Sequence, residues 1–244
     1  MTINDARREV VDASHILSAQ GIVDAFGHVS RRHPERADRF LISRSLAPAL
    51  VTPADVLELD LDGVPVSDPD ARIFLERFIH GEIYRRRADV YAIVHSHAVS
   101  VLPFSVVPSV TVRPIYHMCG YLRSTPVPFD IADHAGPGSD LLIRNAKLGA
   151  ALAAHLADAA VVLMRGHGFT AVGEGVPQAT YRAIYAARNC EVQLAALKLG
   201  EPVYLNEKEA RACDETTMGQ IDRAWNLWRH DHATSVRDQG DTTA

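Results

Sequence analysis

The chain has 244 residues, 47% of them hydrophobic and 23% charged, which fits one globular domain with a core large enough to fold without disulfides. Its 30 acidic residues against 25 Lys and Arg give a formal charge of −5 with no basic stripe, which excludes nucleic acid as an expected partner. No apolar run approaches the roughly 20 residues of a membrane-spanning helix, and the odd, widely spaced Cys119, Cys190 and Cys213 exclude a disulfide framework.

Residues 4–20 read as a helix, since Ala6, Val10, Ala13 and Leu17 recur at helical spacing and Gly21 is placed to end it. Gly27-His28-Val29-Ser30 reads as a turn, and 40–43 and 56–61 as strands, the second closed by Asp62-Gly63. A helix over 71–87 leads into a buried strand at 90–95, and strand signals return at 112–116 and 127–131. A helix over 140–156 precedes a strand at 159–164. Pro177 then opens a long helix that runs to Leu199 and stops at Gly200. In the last helix Met218, Ile221, Trp225 and Trp228 share one apolar face, read as packing or interface anchors. Without repeat or linker, the pattern gives one layered α/β domain over 1–232 and a disordered tail over 233–244. Met1 to Val10 lacks the apolar stretch of a secretory signal, so a cytoplasmic location is expected.

Chemistry gathers at two strand ends. His95-Ser96-His97 closes an apolar strand, and side chains at i and i+2 of a strand share one face about 6.5–7 Å apart, within reach of one ion. A second apolar strand ends in Arg165-Gly166-His167-Gly168, where glycines on both sides of the histidine let the backbone pass close to a neighbouring site. Glu76 lies on the apolar-faced helix expected just before the His95 strand, where a carboxylate facing the core is costly unless paired or metal-bound.

Glu76, His95-Ser96-His97 and Gly166-His167-Gly168 together resemble the class II aldolase/adducin family, which includes the fuculose-phosphate aldolases and ribulose-phosphate epimerases. The resemblance runs over roughly residues 10–204. It implies a single-domain α/β/α fold around a central, mainly antiparallel sheet. It also implies one divalent metal ion per subunit on His95, His97 and His167, with Glu76 as metal neighbour and acid/base. The imidazoles suit zinc, and added oxygen ligands also suit manganese, iron or cobalt. A homotetramer with sites near subunit interfaces is part of the same expectation.

The sequence departs from the sugar-phosphate members at the loops that would cradle phosphate. These read Gly27-His28-Val29-Ser30, Ile42-Ser43-Arg44-Ser45-Leu46-Ala47-Pro48, and Phe74-Leu75 before Glu76, with apolar bulk where hydroxyls would stand. The stretch from Arg72 to Tyr84, Pro114-Ile115-Tyr116-His117-Met118, the stretch from Asp130 to Gly136 and Arg144-Asn145 are instead similar to decarboxylases of hydroxylated aromatic or pyridine dicarboxylates. The implied function is metal-dependent decarboxylation of an ortho-hydroxy aromatic or heteroaromatic carboxylate. Alternatives are a retro-aldolase on a non-phosphorylated hydroxy-keto acid, an iron-dependent oxygenase and a non-catalytic adducin-like scaffold.

Around the metal, Arg44 and His28 are candidates to meet a substrate carboxylate, Arg44 because a planar guanidinium pairs it with two bonds. Tyr116 and His117 are candidates to reach a site from a neighbouring subunit. His80 and Arg165 are candidates for orienting ligands, weighed against structural roles, and Tyr181, Tyr185 and Asn189 read as packing residues of the long helix.

Overall fold

The computed structural model describes residues 1–241. Thr2 caps the first helix, α1 (Ile3–Ala19), accepting the Asp5 N–H while the Asp5 carboxylate takes its own N–H. The chain continues through β1 (His28–Arg32), β2 (Arg39–Ser43), β3 (Val56–Asp60), α2 (Arg77–Arg86), β4 (Ala92–Ser96), α3 (Leu102–Val106), α4 (Ala132–Ala135) and α5 (Ala146–Leu156). It closes with β5 (Val161–Met164), β6 (Gly168–Gly173), α6 (Val176–Leu199), α7 (Glu207–Met218) and α8 (Ile221–Asp241). The six strands form one sheet in the order β3-β2-β1-β4-β6-β5, and every ladder is antiparallel.

Period-two alternation divides the sheet between two helix layers. Val94 and Ala171 face a core with Leu17 of α1, Ile184 of α6 and Trp225 of α8, whereas Ile93 and Val172 face one with Ile79 of α2 and Leu152 of α5. The result is the expected α/β/α sandwich. Register then aligns the site: His28 pairs with His95, and His95 with Thr170, so all three point to the α2 side with Ile93. No helix among the described residues is long and apolar enough to cross a membrane.

Several expected elements differ. The turn at Gly27–Ser30 becomes β1, whose Arg31 and Arg32 stay buried because Glu9 and the carbonyls of Val90, Tyr84 and Arg87 take their guanidinium protons. The helix expected over 71–87 starts only at Arg77. The segment before it is tied to the end of β2 by the Ser45 N–H donating to the Arg72 carbonyl at 2.8 Å. The helix expected from 140 begins at Ala146, where Asn145 caps it by accepting from Leu148 N–H.

Residues 112–116 form no strand. Side-chain amides of α6 take a neighbouring strand's place: Asn189 accepts from Ile115 N–H at 3.0 Å and donates to the Arg113 carbonyl at 2.9 Å. Gln193 accepts from Arg113 N–H and donates to the Thr111 carbonyl. Around 127–131 only one bridge forms, Phe129 with Met164. β6 and α7 are additional elements, the latter opened by an Asn206 capping box. Met218 ends α7 rather than lying in α8. Trp225 and Trp228 are buried inside the chain beside α6, the packing role rather than the interface role of the two that their spacing allows. The stretch from 233, expected as a tail, continues α8 to Asp241.

Candidate metal centre

Three imidazoles and a carboxylate meet where β4 and β5 end. His95 Nε2 and His97 Nε2 are 3.0 Å apart, as are His97 Nε2 and His167 Nε2. Glu76 Oε2 lies 3.5 Å from His95 Nε2 and 3.3 Å from His167 Nε2. The four ligand atoms all fall within 4.8 Å of one another, and among the described residues this is the cluster suited to a metal ion.

Local backbone explains the convergence. β4 ends at Ser96, whose hydroxyl donates to the Ile22 carbonyl and accepts from Ala98 N–H, so the chain turns there and brings His97 back over His95. Gly166 takes a φ of 63°, a left-handed conformation that glycine adopts without steric penalty. At Gly168 any Cβ would collide with the Ser96 carbonyl, so only glycine lets β6 pair this closely beside His97.

The ring orientations are set from behind. His167 Nδ1–H donates to the Leu141 carbonyl at 2.5 Å, which leaves the Nε2 lone pair aimed at the cluster. His95 Nδ1 lies 3.3 Å from the Thr170 hydroxyl. Glu76 terminates the turn before α2, and its Oε1 accepts from the Ile143 N–H at 2.9 Å, freeing Oε2 for the histidines.

Charge follows geometry. Burial works to raise the Glu76 pKa, yet hydrogen bonds and charge from His167 and His95 hold it well below the usual carboxylate range. Burial pushes His97 down to about 4, helped by His95 and His167. Burial also works against the charged form of His167, but Glu76 outweighs it and raises the pKa. A carboxylate thus faces three imidazole Nε2 atoms across one small space. Two atoms each about 2.0–2.1 Å from a shared ion lie roughly 2.8–3.4 Å apart at right-angled to tetrahedral bond angles, so the 3.0 and 3.3 Å spacings suit one divalent cation and the 3.5 Å spacing is slightly longer.

Beside the cluster opens a cavity of about 350 Å³. Glu76, His97 and His28 form its polar end, and Phe26, Leu46, Phe74, Leu75 and Leu142 its apolar wall. Among the described residues no Lys or Arg lines it. His28, a candidate for meeting a substrate carboxylate, lies in that lining. Arg44 does not: its guanidinium pairs with Asp55 Oδ1 at 3.0 Å, outside the cavity lining. Tyr116 is half-buried against the α6 core, His117 is exposed at the start of a 3-10 segment, and neither lines the cavity. Arg165 pairs with Asp130.

Sequence reasoning missed the groups that hold the cluster, namely the Leu141 carbonyl, the Ile143 N–H and Thr170. The first two are backbone atoms in an irregular segment, for which residue type gives no signal. Thr170 could have been found only by knowing the β4–β6 register.

An all-antiparallel six-stranded sheet between helix layers, with a histidine cluster at the strand ends, defines the class II aldolase architecture. The chain belongs to the class II aldolase and adducin family: residues 8–194 match its class II aldolase and adducin N-terminal domain. It is 40% identical to the decarboxylase tropJ of Talaromyces stipitatus over 91% of either chain. To a 3,4-dihydroxyphthalate decarboxylase of Arthrobacter keyseri it is 27% identical, over 96% of this chain and 95% of that one. An aldolase II superfamily protein from Pseudomonas syringae shares the fold with a TM-score of 0.78 at 22% identity, covering 95% of this chain and 93% of that one. An L-fuculose 1-phosphate aldolase from Glaciozyma antarctica does so at 0.75 and 21% identity, covering 95% and 91%. Within the family the chain stands with the named decarboxylases.

Proposed function

We propose that the protein is a divalent-metal-dependent decarboxylase of an ortho-hydroxy aromatic or heteroaromatic carboxylate, with His95, His97, His167 and Glu76 holding one ion per subunit of a cytoplasmic homotetramer. The observation that carries this reading is the cavity beside the four converging ligand groups: two of them, Glu76 and His97, line it, an apolar wall runs along the rest, and among the described residues no Lys or Arg is there for a phosphate. The names of the near-full-length relatives support carboxylate cleavage over aldol cleavage. An ion held by these four groups would supply a Lewis acid and a template for the substrate.

The chain's own groups do the rest. Glu76 rests ionised, so it starts as a base and takes the proton of the ring hydroxyl. It then returns that proton to the ring carbon bearing the carboxylate. The ring-to-carboxylate C–C bond breaks, its electron pair restores the aromatic ring as a phenolate, and carbon dioxide departs. Phe74 and Leu75 exclude water along the ring's face.

The test is incubation of metal-loaded protein with a panel of ortho-hydroxy aryl carboxylates, measuring carbon dioxide. Aldehyde or keto-acid products, or efficient cleavage of fuculose or ribulose phosphate, would overturn the reading.

A further inference from the structure

Behind the cavity a line of buried polar groups leads away from the metal ligands. Tyr84 Oη lies 2.8 Å from Ser30 Oγ, Ser30 Oγ 2.5 Å from His80 Nδ1, and His80 Nε2 2.7 Å from His28 Nδ1. Two periodicities assemble it. His28 and Ser30 are i and i+2 on β1, and His80 and Tyr84 are i and i+4 on the facing side of α2. All four are buried, and His28 also lines the cavity.

The direction of these hydrogen bonds follows from counting donors. Ser30 is the one hydrogen-bonding partner of the Tyr84 hydroxyl among the described residues. If Ser30 donated to Tyr84, the buried phenolic proton would have no acceptor, a loss of about 1–3 kcal/mol. Tyr84 therefore donates to Ser30, and Ser30 donates to His80 Nδ1. An Nδ1 that accepts carries no proton, so His80 has its single proton on Nε2. That proton goes to His28 Nδ1. His28, whose Nδ1 accepts, is then left with its proton on Nε2, the one nitrogen of the two rings without a protein partner among the described residues, on a ring that lines the cavity. Arg32, 4.8 Å from the Tyr84 ring centroid, favours donation by the phenol at the head of the line.

We propose that the Tyr84–Ser30–His80 line fixes His28 as a one-way N–H donor to the substrate, so that the site selects ligands presenting a carboxylate or phenolate oxygen there. The identity of the ligand rests on the decarboxylase reading; the direction of the donor line does not. Successive hydrogen bonds of one sense polarise one another, which strengthens the last donor. Since Arg44 is paired with Asp55, His28 is the side-chain N–H available in the cavity apart from the metal-binding histidines. Tyr84, Ser30 and His80 are positioning residues acting through His28.

Imidazole ¹⁵N NMR of the zinc-loaded full chain reads the tautomers directly, without turnover. Protonated Nε2 and bare Nδ1 at both His28 and His80 are expected. Tyr84→Phe, which keeps the ring but removes the head of the line, is expected to mix the tautomers. Calorimetry with salicylate as probe supplies the second reading. His28→Phe is expected to weaken its binding by about tenfold or more, the worth of one charge-assisted hydrogen bond. His28→Gln, which keeps an N–H at similar reach, is expected to restore most of that loss. An Nδ1-protonated His28 in the native protein, or unchanged salicylate affinity in His28→Phe, overturns the inference. A protein that shows the expected tautomers and salicylate response but releases no carbon dioxide refutes the decarboxylase reading and leaves the donor line standing.

Discussion

The carbonyl of Leu141 holds the Nδ1 proton of His167 at 2.5 Å, and it does so from a residue at φ 63°, outside the regions that bulky side chains prefer. A leucine kept in the left-handed region costs of order 1–3 kcal/mol, and such conformations persist where the surrounding structure enforces them. Here the strained residue aims a histidine of the proposed metal centre.

That relationship can be tested with two substitutions of opposite backbone preference. Leu141→Asn tolerates the left-handed region and should leave zinc affinity within a few-fold. Leu141→Val is β-branched and should pull the carbonyl off His167, lowering affinity by about 10–100-fold, the usual penalty for losing an outer-sphere partner. Competition with a chromogenic chelator measures both. Equal affinities would show that the Leu141 conformation does not orient His167.

Removal of the ion should destabilise the fold as well as stop the reaction, because an ion bound only to the native state adds stability by mass action. Added zinc or manganese at 100 times its dissociation constant should stabilise the native protein by about 2.7 kcal/mol. His97→Ala should abolish that gain and the metal content together. Full metal content in His95→Ala, His97→Ala and His167→Ala alike would place the site elsewhere.

Glu76→Gln separates the two tasks of this side chain. The amide oxygen can still accept from Ile143 N–H, so the turn before α2 should survive. The proton carrier is lost, and turnover should drop by about 10²–10⁴-fold with substrate binding little changed. Turnover within about tenfold of native would remove Glu76 from the acid/base role.

Much of this site was legible in the sequence because its ligands are side chains in short motifs. His95 and His97 flank one strand end, His167 sits between glycines, and Glu76 breaks an apolar stretch. The fold's long, strongly periodic elements were legible for the same reason, as α1 and α6 show. What escaped detection is held by long-range partners. β1 carries two arginines, of which Arg32 satisfies itself on carbonyls 52 to 58 residues away and Arg31 on the Glu9 carboxylate of α1, so its polar sequence hides a buried strand. Residues 112–116 have strand composition but meet helix amides instead of a neighbouring strand. His80, four residues after Glu76, reads from sequence as a candidate for orienting a ligand. With α2 starting only at Arg77, it turns to His28 instead.

The amides on α6 make a separate stability prediction. Asn189→Leu leaves both the Ile115 N–H and the Arg113 carbonyl without partners. Each unsatisfied group costs about 1–3 kcal/mol when buried, and partial access to water near residues 113–115 puts the sum towards the low end, near 2 kcal/mol. Guanidinium unfolding should show a lower midpoint at unchanged slope. A loss below about 0.5 kcal/mol, the size of an ordinary surface substitution, would mean that water replaces the amide freely.

The last prediction concerns Arg44, where sequence and structure disagree. The loop position suggested a clamp for a second substrate carboxylate, but the guanidinium lies against Asp55, about half-exposed, and the cavity lining omits it. Swinging it inward would break that ion pair and also disturb a loop held by the Arg44 N–H on the Asp55 carbonyl at 2.8 Å. Arg44→Ala should therefore change the affinity for an ortho-hydroxy aryl carboxylate by less than about twofold, far below the 1.5–3 kcal/mol of a hydrogen bond to a charged group. Its stability effect should stay within about 0–1 kcal/mol, because a half-exposed pair is screened by solvent. Calorimetry with salicylate and with an ortho-hydroxy phthalate checks the point. If Arg44→Ala weakens the dicarboxylate by about tenfold and spares the monocarboxylate, Arg44 leaves Asp55 on binding, and the cavity seen here is an open form of the site.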